Sequence, residues 1–410
     1  MDARQLQALD RRLADFLSTL TASMGRAERR RWAEVYVRGL LLDGERKSIE
    51  PLAARAGGDV QGLQQFIGQS PWAAEAVQQA LNARMSAALA PSAYWIVDET
   101  SFPKQGAHSV GVARQYCGAL GKIANCQVAV SLHWSNGTAS WPLGWRLYLP
   151  ESWAADPARR RKAGVPAEVA HASKTQLALE LIQAVRAQGV PPGIVLADSF
   201  YGDGFVWRAQ LHEKGLGYVV GVEGRLGVWL APETDARPAR PGGRQRLPPR
   251  AAILALRTAA IVLPKKSWRR IGTGKIRSRF ARFEVLAANR SPGHGKLPRW
   301  HETALVEWPH DAPEPTRFWL CWLPDQSGSL EDLVRHAKAR WRIEQDYREL
   351  KDELGLDHFE GRTWVGWHHH VTLVTLAFAF LRLEQRRSKK NSAPHAARHP
   401  PPSPAPADPA

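Results

Sequence analysis

Two short apolar runs constrain the fold more than anything else in the chain. Tyr94-Trp95-Ile96-Val97 leads into Asp98, and Gly193-Ile194-Val195-Leu196-Ala197 leads into Asp198. A short apolar run without alternation reads as a strand covered on both faces, which requires helices on either side of a sheet. Open sheets of that kind bind their ligands beyond the carboxyl ends of the strands. Asp98 and Asp198 are therefore predicted at strand ends, in position for chemistry.

A third acid comes from a helical stretch. No Gly or Pro interrupts Leu330 to Leu354, and good helix formers dominate. Leu330, Val334, Ala337, Trp341, Tyr347 and Leu354 recur at close to helical spacing. Glu344 falls three residues after Trp341 and three before Tyr347, which predicts it on the buried side. A carboxylate there is costly unless a metal ion or another cation pairs with it. Arg340 and Lys351, one turn before and two turns after, project roughly the same way. A plain charged surface helix has the same composition; the two aspartates tip the reading towards a divalent-metal site. Glu99 is predicted on the opposite face of its strand from Asp98. Asp203 reads as a helix cap, and Asp346, Glu349 and Asp352 as solvated or paired with Arg342 and Arg348. His368, His369 and His370 read as surface or DNA-facing residues.

Residues 1–90 read as a helical region. Leu6, Leu9, Leu13, Phe16, Leu17 and Leu20 form one apolar face, and Arg26, Arg29, Arg30 and Arg31 a basic patch. Pro51 to Ile67 reads as a short helix, a glycine turn and a second helix capped by Asp59. As a helix-turn-helix it would lay the second helix in a DNA major groove; its polar, hardly basic surface suits an ordinary helical hairpin equally. Ser70-Pro71 opens the next helix.

Residues 91–222 alternate strands and helices. Cys126–Trp134 and Ser140–Tyr148 flank the hairpin signal Ser135-Asn136-Gly137. A basic loop is predicted at 156–170, a helix at 173–188, a helix at 204–214 and a strand at 216–222. Residues 223–324 read as a β-rich basic insertion, with strands at 259–263, 279–287, 303–308 and 317–323 and a Pro/Gly/Arg-rich loop at 232–249. The core resumes over 325–385, where Val371 to Leu381 is too short to span a bilayer and reads as a core helix. Residues 386–410 cannot form a core and are expected to be disordered.

Lys and Arg number 56 against 39 Asp and Glu, a net charge of +17, which points to a polyanionic partner, most simply nucleic acid. Cys117, Cys126 and Cys321 have neither metal-ligand spacing nor a disulfide framework, and a reducing compartment suits them. The opening Met1-Asp2-Ala3-Arg4-Gln5 has no apolar signal core. A cytoplasmic, nucleoid-associated protein without a membrane partner is expected.

Asp98, Asp198 and Glu344 resemble, in type and order, the DDE triad of insertion-sequence transposases with a ribonuclease-H-like core. One branch of that family carries Tyr, two residues, Arg, three residues, Glu, six residues, Lys. Arg340, Glu344 and Lys351 fit that spacing, with Ala337 in the place of the Tyr. The runs from Ile96 to Phe102, from Gly111 to Gly118 and from Ala197 to Gly202 are also similar to that branch, as is a β-rich insertion between the second Asp and the Glu. The resemblance covers roughly residues 30–385.

It implies an α/β fold: a ribonuclease-H-like mixed sheet with flanking helices, interrupted by the insertion and preceded by a helical DNA-binding region. It implies a transposase that cuts double-stranded DNA at terminal inverted repeats and joins the ends to target DNA, as a homodimer on DNA. It implies Mg²⁺, two ions when DNA is bound, with Mn²⁺ as a substitute. Asp98 would bridge both ions, with Asp198 on one and Glu344 on the other, because Mg²⁺ takes one or two carboxylates plus phosphate and water. Arg340 and Lys351 would hold phosphates beside the cut. The alternatives are a metal-dependent nuclease without strand transfer and an inactive DNA-binding derivative; the presence of all three acids argues against the second.

Overall fold

The computed structural model of the chain describes residues 2–89, 91–230, 253–273, 276–287, 300–324 and 328–392. The loop expected at 232–249 and residues 393–410 of the expected tail lie outside the described residues; residues 386–392, expected to be disordered, continue the helix Trp364–Ser392.

The strands are β1 (Tyr94–Pro103), β2 (Ala113–Cys117), β3 (Lys122–Ser135), β4 (Ser140–Leu147), β5 (Ile194–Ala197), β6 (Tyr218–Val222), β7 (Gly227–Leu230), β8 (Leu254–Ala255), β9 (Arg269–Thr273), β10 (Ile276–Ala287), β11 (Glu302–Pro309) and β12 (Arg317–Trp322). They form one mixed sheet in the order β2-β3-β1-β5-β6-β12-β11-β10-β7-β8, with β4 on β3 and β9 on β10. β1, β5 and β6 run parallel. Parallel neighbours need crossovers. The helix Phe205–Glu213 carries the chain from β5 to β6, and Lys174–Ala187 precedes β5. The segment 223–324, predicted as β-rich, continues the same sheet, because β12 pairs antiparallel with β6.

Both faces of the central strands are covered, as their apolar sequences require. Trp95, Val97, Val195 and Ala197 share a core with the helix Lys174–Ala187. Tyr94, Ile96 and Leu196 share a second core with Leu330, Leu333 and Val334 of the helix Leu330–Ala339. A hydrogen bond between the Tyr94 hydroxyl and His336 Nδ1, 2.9 Å long, ties that helix to β1.

The N-terminal region holds the helices Ala3–Leu20, Ala27–Leu41, Ile49–Ala56, Val60–Gly68 and Ala74–Ala88. Asp59 caps Val60–Gly68 by accepting the Gly62 N–H, as its position predicts. This region is docked on Trp364–Ser392. His369 is buried, stacks on Trp72 at 3.7 Å and places both ring nitrogens 2.9 Å from backbone carbonyls of Ile67 and Trp72. His370, also buried, meets the Tyr36 hydroxyl at 2.9 Å. The expectation that these histidines face solvent or DNA is corrected: the helix is packed on more sides than one.

Three local predictions are also revised. Residues 156–170 contain the helix Pro157–Ala163, because Asp156 caps it and Pro157 fits its first position. Residues 259–263 belong largely to the helix Leu256–Ile261, an apolar run whose periodicity does not separate helix from strand. The helix predicted to open at Ser70-Pro71 begins at Ala74.

After β5 the chain makes the short helix Ser199–Gly202, which lies directly on β6. A Cβ on Gly202 would stand 1.8 Å from the Gly221 carbonyl oxygen. Gly202→Ala is therefore expected to destabilise the fold by about 1–3 kcal/mol or more, since backbone and not a flexible side chain blocks the methyl. Gly68→Ala, whose methyl would meet open space, is expected to leave stability unchanged or slightly raised. Urea unfolding of the two variants beside the parent chain measures the contrast.

Candidate active site

The alternation of β1 decides which acids meet. Tyr94 and Ile96 face the core under Leu330–Ala339, so Asp98 projects to that face and Glu99 to the other. β1 and β5 pair in parallel through Ile96 and Leu196, and two further residues along each chain are Asp98 and Asp198. Asp98 stands in the middle of β1, not at its end as predicted; β1 runs on along β3 after its pairing with β5 has stopped. Asp198 leaves β5 and caps Ser199–Gly202, accepting the Phe200 N–H at 3.0 Å.

Asp98 is largely covered, with 13% of its side chain exposed. Burial pushes its carboxyl up to about 7; the Arg340 guanidinium opposes that rise and the Asp198 carboxylate adds to it. Arg340 Nη1 donates to Asp98 Oδ2 at 2.7 Å, and Nη2 donates to Glu344 Oε1 at 2.9 Å. One guanidinium thus joins the strand acid to the helix acid. Among the described residues no three His, Cys, Asp or Glu side chains are gathered closely enough to hold a metal as they stand. Arg340 supplies positive charge between two of the acids.

The helix predicted to run unbroken from Leu330 to Leu354 is divided. Leu330–Ala339 ends, the chain tightens through Arg340 and Trp341, and Arg342–Arg348 begins, followed by a wider π turn at Glu349–Glu353. Bonds from Ile343 N to Arg340 O and from Glu344 N to Trp341 O span three residues, not four. The tighter turn advances the helix phase. As a result Trp341 is exposed, and Glu344, predicted on the buried side, has 50% of its side chain exposed. The buried acid is Asp346, expected to be solvated or paired with Arg342 or Arg348; it is paired with Arg342 and is not solvated.

Asp346 is fully covered and neutralised from several elements. Its Oδ1 accepts from Ser140 Oγ on β4 at 2.6 Å and from Arg382 Nη2 at 3.3 Å. Arg342 Nε lies 3.4 Å from the same oxygen, and His133 Nδ1 on β3 meets Oδ2 at 2.9 Å. The neighbouring Tyr347 hydroxyl bonds to Ser131 Oγ at 2.7 Å, and Ser131 pairs with Asp98 across β1 and β3. Two signals for this network exist in the sequence: the Arg342–Asp346 spacing of four, and a histidine inside the apolar run of β3.

Lys351 projects from the π turn to β1, where its Nζ donates to the Ser101 carbonyl at 3.0 Å, and burial lowers its pKa. On the opposite face of β1, Glu99 receives Lys174 Nζ at 2.6 Å and the Tyr201 hydroxyl at 3.4 Å. Asp203 does not cap the helix Phe205–Glu213, whose N-cap is Gly204; it closes Ser199–Gly202 and accepts the Glu223 N–H at 2.9 Å.

Residues 17–279 match the family model described as DDE superfamily endonuclease. That stretch includes Asp98 and Asp198 and stops before Glu344. A curated relative from Microchaete diplosiphon, described as "Probable transposase for insertion sequence element IS701", is 31% identical over 197 residues. The alignment takes in 47% of this chain and 49% of the relative, so the chain spans about half the length of that protein.

The charge balance around Asp98 and Asp346 makes two measurements informative. A carboxyl raised in the folded state adds stability below its unfolded value, 3.8, and loses it as pH climbs towards about 7. In metal-free protein, Asp98→Asn is thus expected to be more stable than the parent at pH 8, by on the order of 1 kcal/mol after loss of the Arg340 pair, and to lose that advantage towards pH 4. Asp346→Ala, which leaves cations buried without their counter-charge, is expected to cost about 3–5 kcal/mol. Denaturant titrations across that pH range test both.

Proposed function

The chain belongs to the DDE superfamily of endonucleases, and on that footing we propose that it is the transposase of an insertion sequence. It would bind double-stranded DNA at the terminal inverted repeats, cut there and join the freed ends to target DNA. The observation that carries this reading is the guanidinium of Arg340 bonded at once to a strand carboxylate, Asp98, and a helix carboxylate, Glu344, beside the second strand acid, Asp198.

Members of this family generally use divalent metal ions. The donor set fits them: Asp98, Asp198 and Glu344 offer only hard oxygen ligands, and a bound cation would favour the charged form of Asp98 that burial opposes. These three residues would hold Mg²⁺, two ions with DNA present, with Mn²⁺ able to substitute. When bound, the ions supply an activated water or 3′-hydroxyl and neutralise the leaving oxygen.

The protein's own part is positioning. Asp346 fixes the helix that carries Glu344, and Ser131 and Tyr347 brace the face of β1 where Asp98 stands. Arg340 holds the acids together before DNA arrives. Once other positive charge satisfies them, its planar fork is free to take a phosphate bidentately. Lys351 is a point charge on the same side of β1. Residues 1–90 and the basic segment 223–324 would contact the duplex mainly through phosphates, so binding weakens steeply with salt. A homodimer on DNA, working in the bacterial cytoplasm, completes the proposal. A nuclease that cuts without joining would use the same carboxylates, and the joined product separates the two.

The test uses a linear fragment containing the gene with its flanking DNA, incubated with Mg²⁺. Asp98→Asn, Asp198→Asn and Glu344→Gln are each expected to lower cleavage by about a thousandfold or more while DNA binding stays within a few-fold of the parent. Arg340→Ala should impair cleavage, and Arg340→Lys should restore it only in part because the fork is lost. Parent-like cutting by any acid variant removes that residue from the metal site. Cut ends that never join assign the chain to the nuclease alternative.

A further inference from the structure

The β2–β3 hairpin carries apolar side chains that the fold leaves uncovered. Tyr116 and Ile123 are partners in register across the two strands, so they lie side by side on one face of the ribbon. Each is 61% exposed, and Leu120, in the turn between the strands, is 48% exposed. Cross-strand aromatic and β-branched pairs are the kind that sheets normally bury. The other face of the same ribbon is closed by Cys117, Cys126 and Val128. The exposed face is therefore a patch in want of a partner.

Its place and charge identify the partner. The turn is pinned to β1 by the Ala119 N–H, which donates to Ser101 Oγ at 2.9 Å. Lys351 donates to the carbonyl of that same Ser101, three residues from Asp98. The tip thus meets β1 three residues beyond Asp98, at the residue whose carbonyl Lys351 holds. No Asp or Glu occurs between Glu99 and Glu151, and Arg114 and Lys122 of the ribbon are exposed. Two copies of this ribbon packed together would oppose like charges over three side chains, a far smaller contact than a stable dimer needs. A duplex offers phosphates for the cations and base surfaces for the tip, and a two-stranded ribbon is narrow enough to enter a groove.

We propose that the β2–β3 hairpin is a DNA-contacting ribbon for the duplex bordering the cut. Tyr116, Ile123 and Leu120 press against base surfaces and part their stacking, while Arg114 and Lys122 hold the adjoining phosphates. This rests on the reading that the chain acts on DNA.

The experiment compares the parent with Tyr116→Ser/Ile123→Ser and with Lys122→Ala, on the gene-plus-flanks fragment and on a mixed-sequence linear duplex. Affinity is measured against salt, thymine unstacking by permanganate reactivity, and self-association by sedimentation. All three positions are exposed, and thermal melting checks that each variant folds. The double variant is expected to bind about tenfold more weakly with an unchanged salt slope, and to lose permanganate-reactive thymines near the cut. Lys122→Ala is expected to flatten the slope of log K against log salt by about 1. Parent-like affinity and permanganate pattern in the double variant overturn the proposal while leaving DNA cleavage as the chain's function. Loss of self-association with intact DNA binding overturns it too and assigns the patch to a second copy. A parent protein that binds neither DNA removes the functional reading itself, and the ribbon's role with it.

Discussion

A carboxylate sealed from water must be neutralised where it stands, and Asp346 meets that demand with groups from four elements. Arg342 comes from its own helix, His133 from β3, Ser140 from β4 and Arg382 from Trp364–Ser392. Each partner has its own backbone anchor, so the requirement to satisfy one buried charge fixes the mutual placement of all four. Glu344 is two residues away on the same helix and inherits that placement, although its own side chain is half in solvent. Arg340, at the tightened turn before the helix, then has a fixed reach to Asp98. A fully hydrogen-bonded buried network of this type specifies one arrangement more strongly than an apolar contact would, because any slip leaves a charge unpaired.

The parts of this arrangement that were legible in the sequence are those set by local burial. Short apolar runs gave the strands of Asp98 and Asp198, and strand alternation put Glu99 on the far side of β1 from Asp98. The parts that were not legible depend on distant chain. Asp346 reads as one more charge on a charged helix because its partners His133 and Ser140 are 213 and 206 residues away. The exposure of Glu344 does not follow from helical periodicity, which assumes an even 100° per residue. Nothing in the composition of Arg340 and Trp341 announces the tightened turn that breaks the count. The burial of His369 and His370 is hidden for a related reason: a helix covered by the N-terminal region on one side and the sheet on another has little solvent face left.

The two faces of β1 show how one strand can carry two neighbouring acids with different duties. Glu99 has a lysine of its own, Lys174, and a tyrosine hydroxyl, so its charge is settled within the protein. Asp98 shares one guanidinium with Glu344 and feels the nearby Asp198, so burial prevails and its carboxyl stays raised. An acid with incomplete compensation is poised to take up further positive charge, and one already paired is not. The difference follows from side-chain parity alone, since the two residues are adjacent in the chain.

The hydrogen-bonded ladder from β6 to β12 has a mechanical consequence. The described strands of segment 223–324 share the sheet's own backbone bonds, and β11 adds the buried Glu302, paired with Arg208. To swing as an independent body the segment would have to unzip a row of peptide pairs and leave their polar groups without partners. The sheet can twist but it cannot hinge along that line. Torsion in the far strands is accordingly transmitted through β12 and β6 to β5, the strand that leads into Asp198, and local rearrangement around the acids is left to the helices and turns that lie on the sheet.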